Sequence, residues 1–287
     1  MMFIVMGATG HVGRAVANAL LADRKDVTVL TRQPDQANEW REKGALVLRA
    51  DAEDVASMQT AFRSGRRAFL LNPPARPDTD TNATELRTAR NILAALDGSG
   101  LEKVVAASTY GARPGNGIGD LTTLWELEEG LRRQAIPAAI NRGAYYMSNW
   151  TSLADTVRTT GELSTMFPAD TVMPMVAPED LGQAAAARLL SSITETELQY
   201  VEGPQRYTPT DVANAFAAVF ERDVAVNVIK RGQWKTAYRK LGFSDAAAHA
   251  YTRMTEESLD NGFFKPRNPK RGMMDLQRFV NSQAEPS

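Results

Sequence analysis

The sequence predicts an α/β fold: a doubly wound parallel sheet followed by a smaller C-terminal α+β lobe. Three observations carry that expectation. Short apolar runs alternate with helical patterns through the first half of the chain, as in parallel sheets built from strand–helix–strand units. The first run passes through a glycine-rich turn straight into a helix. After Gly143 the alternation loosens and helical segments dominate.

Taken in order, Phe3 to Met6 is an all-apolar strand of the kind covered on both faces. His11 to Ala22 carries Val12, Ala15, Val16, Ala19 and Leu20 at helical spacing, a stripe that would lie on the sheet. Strands follow at Asp26 to Thr31, Leu46 to Ala50 and Ala68 to Leu71, the last closed by Asn72-Pro73-Pro74. Thr84 to Leu96 reads as a helix, Lys103 to Ser108 as the fifth strand, Leu124 to Gln134 as a helix and Ala138 to Arg142 as the sixth strand. Farther on, Glu179 to Ser191 is an amphipathic helix whose start, Pro178-Glu179-Asp180, supplies an acidic first turn. Thr208 to Phe220, Lys235 to Leu241 and Ala246 to Leu259 read as helices, with a short strand at Val224 to Ile229. The expected division is a nucleotide-binding domain over residues 1–148, joined by residues 172–200, and a substrate-side lobe from residues 149–171 and 201–287.

Composition excludes several function classes. The 287 residues carry a net charge of −1, with no electrostatic footprint for nucleic acid or a membrane surface. There is no cysteine, which removes disulfides, thiol nucleophiles and thiolate metal sites. The histidines are His11 and His249 alone, so no metal centre is expected. Met1 to Met6 is too short and lacks the basic leader of a signal peptide, and no apolar run approaches the ~20 residues of a membrane span. A cytoplasmic protein is expected, as a monomer or homodimer.

The informative motif is Gly7-Ala8-Thr9-Gly10-His11-Val12-Gly13, set between a strand and a helix. In that context the first glycine makes the tight turn, Gly10 lets the backbone approach a pyrophosphate, and Gly13 lets the helix pack closely on the strand. The helix start offers its free N–H groups to phosphate. This is the fingerprint of a Rossmann dinucleotide site. An NAD site places a carboxylate at the end of the second strand; here stand Leu30-Thr31-Arg32. Arg32 can hold a 2′-phosphate with its fork of charged donors, which favours NADP(H) over NADH. Asp51 is placed to meet the adenine edge or to cap the next helix. Asn72, Pro73 and Pro74 stand where ligands of open α/β sheets bind, and equally suit an ordinary turn.

The glycine motif together with Thr31-Arg32-Gln33-Pro34 resembles the NmrA-like, atypical short-chain dehydrogenase/reductase family. Ile136-Pro137, Arg142-Gly143-Ala144-Tyr145-Tyr146-Met147-Ser148-Asn149, Pro178-Glu179-Asp180-Leu181-Gly182 and Tyr200-Val201-Glu202-Gly203-Pro204 are similar to its later landmarks. The resemblance implies cofactor contacts at Gly7, Ala8, Thr9, Gly10, His11, Val12, Arg32, Asp51, Ala52, Leu71, Asn72, Pro73, Gly143, Ala144, Tyr145 and Tyr146. Ser108, at the end of the fifth strand, joins that set. Members include quinone, azo-dye and triphenylmethane-dye reductases, together with non-catalytic redox sensors.

One departure shapes the chemistry. Short-chain dehydrogenases commonly use a Tyr-x-x-x-Lys pair as acid and base. Here no lysine occurs between Lys103 and Lys230, and the position near Leu124 is apolar. Alcohol–ketone chemistry and sugar-nucleotide epimerisation by that pair are therefore excluded. The resemblance then implies NADPH-dependent hydride transfer, without flavin, to a flat quinone-like, azo or other conjugated acceptor, with solvent as the proton source. Tyr110, Tyr145, Tyr146 and Trp150 are candidates for an aromatic wall and Asn149 for a polar contact, with Tyr110, Tyr146 and Asn149 the residues assigned to catalysis. The alternative is an NADP(H)-sensing regulatory protein with a protein partner. His249 is expected to be structural and Met273-Met274 to lie in the core. Lys265, Arg267, Lys270 and Arg271 read as a solvated loop, or as an approach for an anionic substrate.

Overall fold

The computed structural model describes residues 1–263 and 265–284. The chain alternates β1 (Met2–Val5), α1 (His11–Ala22), β2 (Asp26–Thr31), α2 (Asn38–Glu42), β3 (Leu46–Arg49), α3 (Val55–Phe62), β4 (Arg67–Leu70), α4 (Thr81–Leu96), β5 (Lys103–Thr109), α5 (Asp120–Arg132) and β6 (Ala138–Gly143). It continues through β7 (Tyr145–Tyr146), α6 (Ser148–Thr151), α7 (Ala154–Thr160), β8 (Glu162–Thr165), β9 (Met173–Val176), α8 (Pro178–Leu190) and β10 (Leu198–Glu202). The remainder is β11 (Arg206–Tyr207), α9 (Pro209–Phe220), β12 (Ala225–Val228), α10 (Trp234–Lys240), α11 (Asp245–Asp260), β13 (Lys270–Arg271) and α12 (Leu276–Ala284).

Among these, eight strands form one parallel sheet in the order β13-β10-β6-β5-β4-β1-β2-β3. The order reverses between β1 and β4, the crevice in which open α/β sheets hold their ligands. Alternation along each strand divides the apolar side chains between two layers. Phe3, Val5, Val29, Phe69 and Val105 face α1 and α8. Ile4, Leu70, Val104 and Ala106 face α3, α4 and α5. A third cluster, including Met147, Trp150, Met175, Phe216 and Phe279, is the core of the lobe. There β7, β9 and β11 form one small sheet and β8 pairs with β12.

Helices α1 and α8 lie in close contact because Gly182 presents no side chain. A Cβ built there would stand 2.3 Å from the Cβ of Ala15. At the end of the sheet away from the crevice, α8 finishes among buried cations. Lys103 donates to the Ser191 hydroxyl at 2.9 Å and the Ser192 carbonyl at 2.7 Å, and Arg67 donates to the Ser191 carbonyl at 2.8 Å. Positive charge at a helix C-terminus complements its dipole.

Several sequence expectations change. Helices α2, α3, α6, α7 and α12, and strands β7 to β11 and β13, stand outside the expected elements; the two-residue strands β7, β11 and β13 and the four- and five-residue helices α6 and α2 are too short to establish a period. Met273 is 81% exposed, and only Met274 packs on the lobe core. Arg271 is no solvated loop residue: with Lys270 it forms β13, and it reaches the buried Glu202 at 2.8 Å. His249 lies on the exposed face of α11.

The α1–α8 contact is directly testable. Gly182→Ala should cost roughly 1–3 kcal/mol in denaturant unfolding, because the helices must separate or strain. Gly232→Ala, whose Cβ would meet nothing within 4 Å, should stay within about 0.5 kcal/mol of the parent. Equal effects at both positions would show that helix separation is not the constraint.

Candidate active site

The glycine loop sits at the carboxyl end of β1. Gly7 has φ +69°, a region that suits glycine, and its carbonyl accepts the Gly10 N–H at 2.9 Å. A Cβ on Gly13 would fall 2.3 Å from that carbonyl oxygen, so only glycine lets α1 begin so close to the loop. At Gly10 the nearest atom to a built Cβ is 3.5 Å away, and the loop is open above it. Helices α3, α4, α9 and α11 begin with a capping side chain, from Asp54, Asp80, Thr208 and Ser244. Helix α1 has no such cap and no acid in its first turn. Its N-terminal amides are left for an anion. Ala8 and Val12 are buried beneath the loop, whereas Thr9, Gly10 and His11 are exposed.

The other predicted cofactor positions line the same sheet end. Arg32 is exposed beyond β2 and makes no ion pair among the described residues; beside it the Thr31 hydroxyl accepts the Gln33 N–H at 3.1 Å. Asp51 accepts the Glu53 N–H at 3.0 Å, while the cap of α3 is Asp54. The Ala52 carbonyl accepts from Asn91 at 3.0 Å. Leu71 packs against Gly7, Pro73 is half-buried, and Asn72 is held to α4 by the Glu85 carbonyl at 3.0 Å and the Thr88 hydroxyl at 2.8 Å. The Ser108 hydroxyl turns to the opposite face, where it donates to Glu128 at 2.5 Å, and Glu128 is clamped by Arg142. Gly143 and Ala144 are tied into the sheet, by the Tyr110 N–H at 2.9 Å and the Val201 carbonyl at 3.0 Å.

The aromatic candidates separate. Tyr110 is buried edge-on against Tyr200 and donates to Glu202 at 3.0 Å. Burial and the Glu202 charge push its phenol well above the usual range. Its hydroxyl is committed to the buried carboxylate at the end of β10. Trp150 is buried in the lobe core, 5.5 Å from the Tyr145 ring. Asn149 is exposed and lies near the Tyr145 phenol, which burial raises above its ordinary value. Tyr146 is half-buried and lines a narrow cleft of about 10 Å³ with Val12, Leu181 and Asn141. Burial, then the Asp120 charge, push its phenol up to about 12. A larger cavity of about 250 Å³ opens between loop and lobe, lined by His11, Ser148, Thr151, Arg158 and Phe216 among others.

Sequence reasoning missed a carboxyl pair. Glu85 on α4, buried, accepts the Ala75 N–H at 3.1 Å and the Thr123 hydroxyl at 3.2 Å, and bonds Asp120 at the start of α5. Burial first, then the Asp120 charge, push Glu85 up to about 8, and burial raises Asp120 as well. The Asp120 charge also raises the phenols of Tyr146, Tyr238 and Tyr251. A signal was present in the sequence: Glu85 shares the apolar stripe of α4 with Thr81, Thr88, Ala89 and Ile92.

Comparison with known proteins places this geometry. The NmrA-like family profile matches residues 2–277. A Streptomyces griseus (4-alkanoyl-5-oxo-2,5-dihydrofuran-3-yl)methyl phosphate reductase is 28% identical over 77% of this chain and 74% of its own. The structure of Citrobacter sp. triphenylmethane reductase complexed with NADP(H) superposes with TM-score 0.83 at 18% identity, covering 99% of this chain and 100% of that one. The NADPH complex of an Escherichia coli NADPH-dependent quinone oxidoreductase gives TM-score 0.81 at 19% identity, covering 98% and 99%.

The carboxyl pair makes stability depend on pH. The folded chain holds the Glu85 proton more tightly than the unfolded chain, where the ordinary value is 4.5. Stability should therefore fall as pH rises from about 4.5 through about 8, and the Glu85→Gln substitution should flatten that slope. Denaturant unfolding at about pH 5.5 and about pH 8.5 should show the parent losing roughly 1–3 kcal/mol more than the variant. Parallel slopes would mean that both carboxyls are ionised in the fold.

Proposed function

This chain belongs to the NmrA-like family, and from that premise we propose an oxidoreductase that binds NADP(H) along the glycine loop and reduces a flat conjugated acceptor without flavin. The observation that carries the reading is the loop itself: Gly7 at positive φ, Gly13 with no room for a side chain, and open space above Gly10 at an uncapped helix start. These residues fit a pyrophosphate, since backbone amides and the helix dipole would hold it without a cationic side chain. Arg32, exposed and with no carboxylate partner among the described residues, would hold the 2′-phosphate. Gly143 to Tyr146, at the end of β6, border the nicotinamide end of the crevice, with Asn149 nearby on α6.

Bound there, NADPH supplies the hydride, and the chain's task is to orient a flat acceptor against it and exclude water. The half-buried ring of Tyr146 offers the acceptor a wall. The Streptomyces, Citrobacter and Escherichia proteins, named for reductase activities, support this class of reaction. A regulatory, NADP(H)-responsive role is favoured by one feature: the cleft beside Tyr146 is narrow, about 10 Å³.

Titration with both cofactors tests the reading. Arg32→Ala should weaken NADPH by one to two decades, about 1.5–3 kcal/mol, and leave NADH nearly unchanged. Folded Gly10→Val should bind neither, because its side chain would occupy pyrophosphate space. Equal losses for both cofactors in Arg32→Ala would remove the 2′-phosphate role, and full NADPH binding by Gly10→Val would remove the loop. The parent, free of flavin, should consume NADPH with quinones or triarylmethane dyes; binding with no turnover of any of them favours the regulatory role.

A further inference from the structure

Hydride addition to a quinone or enone leaves a negative charge on the acceptor's oxygen, and this chain has no Tyr-x-x-x-Lys pair to neutralise it. We propose that Glu85 and Asp120 hold one proton between them and deliver it toward that oxygen at the crevice end of the sheet, on the side of Tyr146. This rests on the reductase reading above. The balance closes: a C–H bond of the reduced nicotinamide breaks with its electron pair, which adds to the acceptor. The acceptor's O–H bond forms with the proton of the pair, and the pair regains a proton from solvent.

Among the described residues the buried glutamates are Glu85, Glu128 and Glu202. Glu128 is gripped by Arg142 at two 2.7 Å contacts and by Arg132 at 3.1 Å. Glu202 is gripped by Arg206 at 2.7 Å and Arg271 at 2.8 Å. Those two are structural ion pairs. Glu85 meets no cation among the described residues; its partners are an amide, a hydroxyl and a second carboxyl. Two carboxyls in contact without a cation keep one proton between them.

The surroundings suit donation more than storage. Asp120 is the half-buried member and so the pair's outlet, while Glu85 sits behind it, 4% exposed. Thr123 on α5 bonds Glu85, and the titratable groups close enough to feel the pair's charge are Tyr146 from β7, Tyr238 from α10 and Tyr251 from α11. None is a cation that would hold both carboxyls ionised. Thr81, one turn before Glu85 on the same face of α4, keeps a hydroxyl with no protein partner although only 1% exposed. These groups come from α4, α5, α10, α11 and β7, at the sheet end that carries the cofactor loop.

Acceptor chemistry separates this proposal from the reading it rests on. A cationic triarylmethane dye becomes neutral on accepting hydride and needs no proton, whereas a quinone does. Glu85→Gln and Asp120→Asn should each lower the ratio of quinone to dye turnover by roughly ten- to a hundredfold, at or below the low end of a positioned acid's contribution. The loss should fall in kcat and leave quinone KM nearly unchanged, and the parent's quinone kcat should decline above about pH 8, the Glu85 range. An independent readout needs no cofactor: the infrared band of a protonated carboxyl should persist in the free parent at neutral pH and vanish in folded Glu85→Gln. Unchanged ratios, or no such band, overturn the proposal. A parent that reduces neither acceptor overturns the reductase reading itself.

Discussion

Helix α1 begins so close to the end of β1 that Gly13 has no room for a side chain, and the rest of the crevice depends on that approach. The same closeness turns the Gly7 carbonyl inward to accept Gly10 and exposes the first amides of α1 at the point where strand order reverses. Across the helix, Gly182 repeats the device, so α8 braces α1 from behind. Two glycines far apart in sequence thus fix the position of one helix start. A site that binds an anion by backbone alone needs that rigidity, because no side chain can compensate for a displaced amide.

Buried charge is managed in two ways. Glu202 is fully buried and satisfied by Tyr110, Arg206 and Arg271, which join the sheet, the strand β11 and the strand β13 at one carboxylate. Losing one partner there would strand a charge in the interior. Glu85 and Asp120 meet the same problem by keeping a proton, which leaves the pair able to respond to pH and to a neighbouring charge. The first arrangement anchors the lobe; the second stands beside the place where an acceptor would sit.

The sequence was most informative where one residue type has one physical use. Strand β2 and helix α1 have the expected bounds, and the three loop glycines have the φ angle, the clash and the open space that their spacing implied. Strand β10 was recognised only as a family landmark, because Leu198–Glu202 exposes its leucine and buries its glutamate, against the usual pattern. Tyr110 looked like a pocket wall, yet its hydroxyl is spent on Glu202, a partner distant in sequence that no local pattern reveals. Asp120 was invisible for the same reason: an acid in the first turn of a helix is ordinary, and its contact with Glu85 exists only once α4 and α5 pack side by side. Local geometry was legible, and long-range polar pairing was not.

Under the proposed function, hydride passes directly from nicotinamide to acceptor in this crevice. NADPH deuterated at both C4 positions, used to reduce a cationic triarylmethane dye, tests it in a single mass spectrum of the colourless product. Direct transfer places one deuterium on the dye's central carbon, where it cannot exchange with water. A product without label, formed at the full rate by the purified protein, would mean that the hydrogen comes from elsewhere and would contradict the account.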